Sequence, residues 1–378
     1  VNPAWWRRCM VAIAAGAGIP VPGRTMPARA APELSVQLYL VGDAGDPAPG
    51  GEPVLRALSQ GLKTGAGSQV VLFLGDNIYP KGLPAPGHPD RKEAERRLAV
   101  QIQTITDAGA TGYFIPGNHD WARHGKDGWD AARRQAKFID SAGAGRVSLR
   151  PGGGCPGPSV VDVGSRLRLV LMDTQWWLHS GPKPQDPTSS CPADSESEVV
   201  DSLSSAVRAA GERLVVVAAH HPLHSGGVHG GYFGWQDHIF PLRLAAPGLW
   251  IPLPFIGSLY PAARQNGISS QDVASRRYQR LIASFEHAFE RAPPALYAAG
   301  HEHNLQVIRG GAERLELVSG GGIYGHTGRA VPVRGTFFAR NASGFARLDV
   351  PVSGPARLAV LEVDSLGGSR EVFSTSVE

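Results

Sequence analysis

The sequence predicts an α/β fold built on parallel strands, and three observations predict it. Five apolar, β-branched runs, Val36 to Val41, Val70 to Leu74, Tyr113 to Ile115, Leu214 to Val217 and Ala295 to Tyr297, read as strands buried on both faces. Stretches with helical apolar spacing alternate with them, the rhythm of a sheet covered by helices. Each of the five runs ends in a short motif carrying Asp, Asn or His. Open α/β sheets collect ligands beyond the carboxyl ends of their strands, so motifs far apart in sequence can converge on one crevice.

The elements follow in order. Residues 1–30 read as an export signal: Trp5-Trp6-Arg7-Arg8 gives a basic start, Cys9 to Ile19 is apolar and small, and Ala28-Arg29-Ala30 fits a small-x-small cleavage site. The apolar stretch is about half the roughly 20 residues that a spanning helix needs. An uncleaved interfacial anchor is the alternative, and the residues around the paired arginines match a twin-arginine signal poorly. The expected location is exported, periplasmic or secreted, leaving a domain over 33–378. Helical spacing marks Glu52 to Lys63, Arg91 to Ala108, Trp129 to Ser141, Glu196 to Ala210 and Ser270 to Arg291. Asp194 or Ser195 can cap the fourth, and Gly211 can end it. Another apolar strand, Leu167 to Met172, is flanked by Cys155 and Cys191, the only cysteines outside the leader. In an oxidising compartment the two are expected to bond to each other, with two unrelated buried thiols as the alternative. Thr336 to Ala339, Gly344 to Val350, Leu358 to Val363 and Glu371 to Thr375 read as short strands completing a second sheet.

Composition sets the bounds. At 378 residues and 42% hydrophobic, the chain can bury a large core as one big domain or two average ones. Its 48 glycines and 31 prolines stay below the roughly 25–30% share that signals low complexity. A formal charge of +4 with scattered basic residues leaves no nucleic-acid footprint. Attraction for an anionic substrate must be local.

The motifs are Gly42-Asp43-Ala44-Gly45, Gly75-Asp76-Asn77-Ile78-Tyr79, Gly117-Asn118-His119-Asp120, Val217-Ala218-Ala219-His220 and Gly300-His301-Glu302-His303. Singly, each is ordinary, since a Gly-Asp after a strand is usually a turn. Five in order, each closing an apolar run, point to one metal site. Hard trivalent iron prefers carboxylate and phenolate oxygen, whereas a divalent partner accepts imidazole nitrogen and amide oxygen. Asp43, Asp76, Tyr79, Asn118, His220, His301 and His303 supply that mixture. One carboxylate can bridge two ions about 3.5–4 Å apart, and a hydroxide held on such ions is a nucleophile near neutral pH. No serine or cysteine nucleophile is then needed.

With these residues in place, the chain resembles the calcineurin-like metallophosphoesterases, and more narrowly the purple acid phosphatases of the small, tartrate-resistant type. The wider superfamily begins with Asp-x-His, but here Gly45 stands two after Asp43, and Tyr79 follows Asp76 at the purple-acid spacing Gly-Asp-x-x-Tyr. Gly300-His301-Glu302-His303-Asn304-Leu305-Gln306 and Val318-Ser319-Gly320-Gly321-Gly322 extend the similarity, which covers Val36 to Phe373. The resemblance implies a four-layer α-β-β-α sandwich of two mixed sheets flanked by helices. It implies Fe(III) held by Asp43, Asp76, Tyr79 and His303, and a divalent ion (Fe, Zn or Mn) held by Asp76, Asn118, His220 and His301. The implied activity is acid phosphomonoester hydrolysis, with hydroxide from the dinuclear centre attacking phosphorus in line.

A departing alkoxide needs a proton donor. His119 beside a ligand is assigned as general acid, with Asp120 as the carboxylate that holds its imidazolium. His229, nine residues after His220, has a spacing similar to that of a substrate-contacting histidine in the small phosphatases; a loop histidine with no role is the alternative. His221 reads as supporting a ligand from behind. His88, His124, His179, His224, His238, His287 and His326 read as solvated or structural.

One segment departs from the family. Leu244 to Ala263 contains no charge but holds Pro247, Pro252, Pro254 and Pro261, which rule out a regular spanning helix. It reads as an insertion near the site. Its apolar residues either bury against their own domain as a lid or form a peripheral membrane or acyl-binding surface, with Trp176, Trp177 and Trp235 on the same rim or in the core. The expected partner is a phosphate ester, and the chain is expected to be a monomer. A phosphodiesterase or lipid-phosphate hydrolase is the alternative activity. A metal-binding, membrane-associated protein without catalysis is the remote one, which the intact donor set and His119 oppose.

Overall fold

The computed structural model describes residues 33–378 apart from 186, 188, 245–247 and 291, so the expected leader lies outside the described residues. β1 (Leu34–Val41), α1 (Pro53–Thr64), β2 (Ser68–Phe73), α2 (Arg91–Thr106), β3 (Thr111–Phe114), α3 (Gly128–Ala142) and β4 (Val147–Leu149) open the chain. β5 (Ser159–Val163), β6 (Leu167–Leu171), the short α4 (Gln175–Leu178), α5 (Glu196–Arg208) and β7 (Leu214–Ala218) follow. Next come α6 (Trp235–Ile239), α7 (Leu259–Gln265), α8 (Arg276–Phe289), β8 (Leu296–Ala299), β9 (Leu305–Arg309) and β10 (Leu315–Ser319). β11 (Thr336–Arg340), β12 (Gly344–Pro351), β13 (Ala356–Val363) and β14 (Ser369–Val377) complete it.

These strands make two mixed seven-stranded sheets, ordered β14-β13-β12-β1-β2-β3-β4 and β11-β9-β10-β8-β7-β6-β5. In the first, β1 to β4 run parallel; in the second, β6, β7, β8 and β10 do. The period of two along a strand sorts side chains into layers. Leu38 and Leu40 of β1 pack between the sheets with Leu72, Leu169, Val216 and Ala298. Tyr39 and Val41 face outward onto Leu58 of α1, Leu98 of α2 and Ile139 of α3. On the far side, Val217 and Tyr297 meet Leu203 of α5 and Phe285 of α8. Three apolar layers between four layers of secondary structure, helices, two sheets and helices, are the α-β-β-α sandwich that the resemblance implied. Burial of each such side chain stabilises the fold by about 1.5–3 kcal/mol.

Local chemistry explains the boundaries. Ser195 caps α5: its hydroxyl accepts from the Glu198 N–H at 3.3 Å and the Glu198 carboxylate accepts from the Ser195 N–H at 3.3 Å. Cys155 and Cys191 form a disulfide. The fifth expected helix is shorter than Ser270 to Arg291, because Ser275 caps it by accepting from the Tyr278 N–H at 3.2 Å.

The tail differs from expectation. Only β11 joins the second sheet, on β9; β12, β13 and β14 extend the first, with β12 antiparallel to β1 from Leu34↔Pro351 to Leu40↔Ala346. β12 brings Ala346, Leu348 and Val350 to the layer between the sheets, which completes the burial of β1. Among the described residues, no helix is long and apolar enough to cross a membrane.

Candidate metal centre

At the carboxyl ends of the strands, glycine is needed by geometry. Gly75 takes φ +90°, and a Cβ there would lie 2.5 Å from His220 Nδ1; one on Gly300 would lie 2.7 Å from Asp43 Oδ2. The next residue in each case is left-handed: Asp76 has φ 52° and His301 φ 69°, and Asp43 after Gly42 has φ 60°. Such conformations cost of order 1–3 kcal/mol each and persist where surrounding structure holds them. Here the turn re-aims a carboxylate or imidazole into the space between the sheets.

The seven expected donors meet there in two groups. Tyr79 Oη lies 3.1 Å from Asp43 Oδ1 and 3.1 Å from His303 Nε2, with His303 Nε2 3.5 Å from Asp43 Oδ1. Asn118 Oδ1 lies 3.0 Å from His220 Nε2 and 3.2 Å from His301 Nδ1, and those two nitrogens are 3.3 Å apart. Asp76 Oδ2 sits 3.4 Å from His220 Nε2 and also acts electrostatically on Tyr79 and His303 in the other group. Metal bonds of about 2.0–2.2 Å set neighbouring donors roughly 3.0–3.4 Å apart on one coordination sphere.

Hydrogen bonds behind the rings fix which nitrogens face inward. His220 Nδ1 is 2.8 Å from the Leu74 carbonyl, and His301 Nε2 is 3.0 Å from that of Gln271. Carbonyls only accept, so in their neutral forms both histidines keep a proton at the back and a lone pair at the front. Two lone pairs and the Asn118 carbonyl oxygen thus converge with no proton among them. That donor set fits a divalent cation, and the carboxylate and phenolate oxygens of the first group fit a harder one.

The sequence matches the calcineurin-like phosphoesterase family over residues 37–305. The chain belongs to this family. Its membership supports phosphoester hydrolysis and two bound metal ions as its chemistry. Plasmodium GAP50, described as "the anchor in the inner membrane complex", superposes with a TM-score of 0.55 at 14% identity over 91% of this chain and 89% of that one. The purple acid phosphatase PPD1 of yellow lupin (Lupinus luteus) gives 0.47 at 14% identity, over 90% and 53%. A 5'-nucleotidase precursor of Thermus thermophilus gives 0.36 at 13%, over 90% and 54%. These likenesses concern the fold. No curated protein matches the chain.

Electrostatics in this calcineurin-like phosphoesterase follow from carboxylates facing histidines. Burial opposes ionisation of Asp76, but His220 and His119 outweigh it and hold the carboxyl far below the usual range. Burial likewise works against a charged His220, yet Asp76 and Asp43 raise it. Burial, then the Asp43 and Asp76 carboxylates, push the Tyr79 phenol well above its ordinary value. A bound cation reverses that last effect.

His119 lines the cleft with Nδ1 2.8 Å from the Pro80 carbonyl and Nε2 3.9 Å from Asp76 Oδ2. Burial lowers its pKa below the usual value. Asp120 does not hold it, which corrects the expected pairing. The fully buried Asp120 carboxylate accepts from the N–H groups of Asn77, Ile78 and Gly117 and from the amides of Asn77 and Gln135, at 2.8–3.2 Å. It ties the loops of Asp76 and Asn118 together.

His229 reaches the site: its ring lies 4.0 Å from that of His301, and its Nδ1 is 2.9 Å from Asp272 Oδ1 and 3.0 Å from Arg264 Nη2. Arg264 also pairs with Asp272 through Nε at 2.8 Å. Sequence reasoning missed Arg264, Asp272 and Gln271; the available signal was Arg264 as the first charge after the uncharged insertion. His221 backs His301 as expected, between Thr174 Oγ1 and Gln271 Oε1, both at 2.8 Å. His326, read as solvated or structural, stands against His303 at 4.2 Å between ring centres, and His124 lines the cleft.

The cleft above the donors encloses about 330 Å³. A larger hollow of about 820 Å³ around Leu214, Ala295 and Leu315 lies where the parallel strands begin and holds none of the seven donors. The lid reading of the insertion, with its apolar residues buried, is corrected: Phe255 is 98% exposed and Leu259 69%. Trp176 and Trp177 are core residues, whereas Trp235 is exposed.

Proposed function

We propose that this calcineurin-like phosphoesterase is an exported, metal-dependent acid phosphomonoesterase of the purple acid type. The carrying observation is that seven donors from five strand ends meet in two groups with Asp76 between them. Asp43, Asp76, Tyr79 and His303 would hold Fe(III), and Asp76, Asn118, His220 and His301 a divalent ion. When bound, the two ions supply an activated hydroxide and neutralise charge on the phosphoryl oxygens. His119, oriented by the Pro80 carbonyl, donates its proton to the departing oxygen from Nε2. His229, oriented by Asp272 and Arg264, holds a phosphoryl oxygen. The Cys155–Cys191 disulfide supports an oxidising compartment.

Phosphodiester or lipid-phosphate hydrolysis is the second reading, favoured by Tyr260 and Ile268 on the cleft wall. The fold alone does not carry catalysis, since the Plasmodium protein is described as an anchor. Metal analysis of purified protein, with its colour and phosphate release from aryl monoester, bis-aryl diester and acylated phosphates, tests these readings together. Two metals per chain including iron, with fastest release from the monoester, is the expected result. Metal-loaded protein inert on every ester would transfer the chain to the non-catalytic reading.

A further inference from the structure

Residues 248–268 are an unusual surface for a secreted domain. Trp250, Ile251, Phe255, Ile256 and Leu259 are exposed by 52, 49, 98, 60 and 69%. Contiguous exposed apolar surface of this kind marks an interaction. Phe255 stands at the tip with φ 69°, a conformation costly for a bulky residue, and its ring meets solvent rather than the core. Chain that only needed to turn here would use glycine.

The surface is continuous with the metal cleft. Tyr260 and Ile268, themselves 44% and 74% exposed, line the cleft together with His119, His229 and His301. α7 joins the two physically: Leu259 at its start points outward, and Arg264 near its end reaches Asp272 and His229.

Charge and residue type select the occupant. No Asp or Glu occurs between Asp237 and Asp272, whereas Arg243 lies 4.4 Å over the Trp250 ring. A segment without carboxylates, with a cation at its edge, suits an anionic layer. Trp235, Trp250 and Tyr260 are the residue types that settle at headgroup depth. Exposed apolar side chains on a proline-rich segment can enter a deformable bilayer without a pre-shaped partner surface.

We propose that residues 248–268 dock on an anionic lipid bilayer and that the cleft hydrolyses phosphate monoesters carried by lipids there. The substrate half rests on the hydrolase reading above; the docking half does not. The test compares the metal-loaded wild type with a Phe255→Ser, Ile256→Ser, Leu259→Ser variant, none of whose changed residues lines the cleft. Co-sedimentation uses phosphatidylcholine vesicles with and without phosphatidylserine; activity uses phosphatidic acid vesicles and a soluble aryl phosphate.

The wild type is expected to bind the phosphatidylserine vesicles, with the variant weaker by at least roughly tenfold. Activity on phosphatidic acid should fall in parallel while aryl phosphate turnover, which also reports folding, stays unchanged. Equal sedimentation of the two proteins, or none by the wild type, overturns the docking surface. A wild-type dimer that the variant dissolves, without vesicle binding, assigns the patch to a second copy and overturns it too. Vesicle binding with aryl phosphate hydrolysis but no release from phosphatidic acid overturns the lipid substrate. Vesicle binding by a protein inert on all esters supports the docking surface and removes the hydrolase reading.

Discussion

The backbone N–H of His301 donates to Oδ2 of Asp43 at 2.8 Å. Asp43 follows β1 in the first sheet and His301 follows β8 in the second, so the bond closes the seam between the sheets at their carboxyl ends. The Gly42 N–H donates to the Ser319 carbonyl at 2.7 Å across the same seam. The group of Asp43, Tyr79 and His303 thus draws on both sheets, and it forms only when the sandwich closes.

Tyr79→Phe tests the first donor group. The phenol oxygen lies 3.1 Å from both Asp43 and His303, so its removal takes one oxygen donor from that group and little packing. The visible tyrosinate-to-iron band of the metal-loaded protein should vanish while thermal stability changes little. An unchanged absorption spectrum would contradict the assignment.

His119→Ala should depend on the leaving group. Acid assistance matters most when the departing oxygen is basic, so alkyl phosphates should lose about 10²–10⁴-fold in rate and activated aryl phosphates far less. The pH profile carries a sign as well. Burial depresses His119 below its ordinary 6.5; Asp76 and the Pro80 carbonyl oppose this, and Arg123 and His303 add to it. Its acid form is therefore lost as pH rises through a value below 6.5, and wild-type turnover of alkyl phosphates should decline there. Equal losses on both substrate types would refute the role.

Asp120→Asn separates position from chemistry. Five donors point at this buried carboxylate, and an amide turns one acceptor into a further donor. Urea unfolding should show a loss of about 2–4 kcal/mol. The folded fraction should keep the wild-type dependence on leaving group, because His119 is oriented by Pro80. A His119-like leaving-group effect would return Asp120 to a catalytic role.

Much of this was legible in the sequence because parallel strands buried on both faces leave continuous apolar runs, and the proposed ligands Asp43, Asp76, Asn118, His220 and His301 follow those runs within a few residues. The pairing of β12 with β1 was not legible, since it joins residues about 310 apart through packing of Leu348 and Val350 rather than through any local signal. Adjacency misled at Asp120: the turn after Gly117 sends neighbouring side chains in opposite directions, His119 to the cleft and Asp120 inward. Hydropathy identified the insertion but not its exposure, because apolar composition is the same whether Phe255 packs or protrudes.

The disulfide has a measurable weight. Cys155 and Cys191 are separated by 36 positions, and closing a loop of that length restricts the unfolded chain by about 3–4 kcal/mol in the entropy model. Cys155→Ser with Cys191→Ser should lower stability by roughly that amount. Reducing agent should lower wild-type stability equally and leave the double variant unaffected. Loss in the variant without loss on reduction would place the effect in packing.

Asp173 gives the pH dependence of folding a testable slope. Burial pushes its carboxyl up to about 8, with Oδ2 accepting from Trp121 Nε1 at 2.9 Å and Oδ1 from the Trp176 N–H at 3.3 Å. The folded chain therefore keeps a proton that the unfolded chain releases near 3.8. Between those values the folded state binds more protons, so this group's contribution is complete below about 3.8 and declines as pH rises through about 8. The Asp173 contribution to stability in urea should accordingly fall from pH 5 to pH 8. Asp173→Asn is neutral throughout and leaves one of the two donors poorly matched, which costs about 1–3 kcal/mol at pH 5. It lacks that contribution, so the gap to wild type narrows at pH 8. Parallel pH profiles for the two proteins would show that Asp173 does not carry the proton.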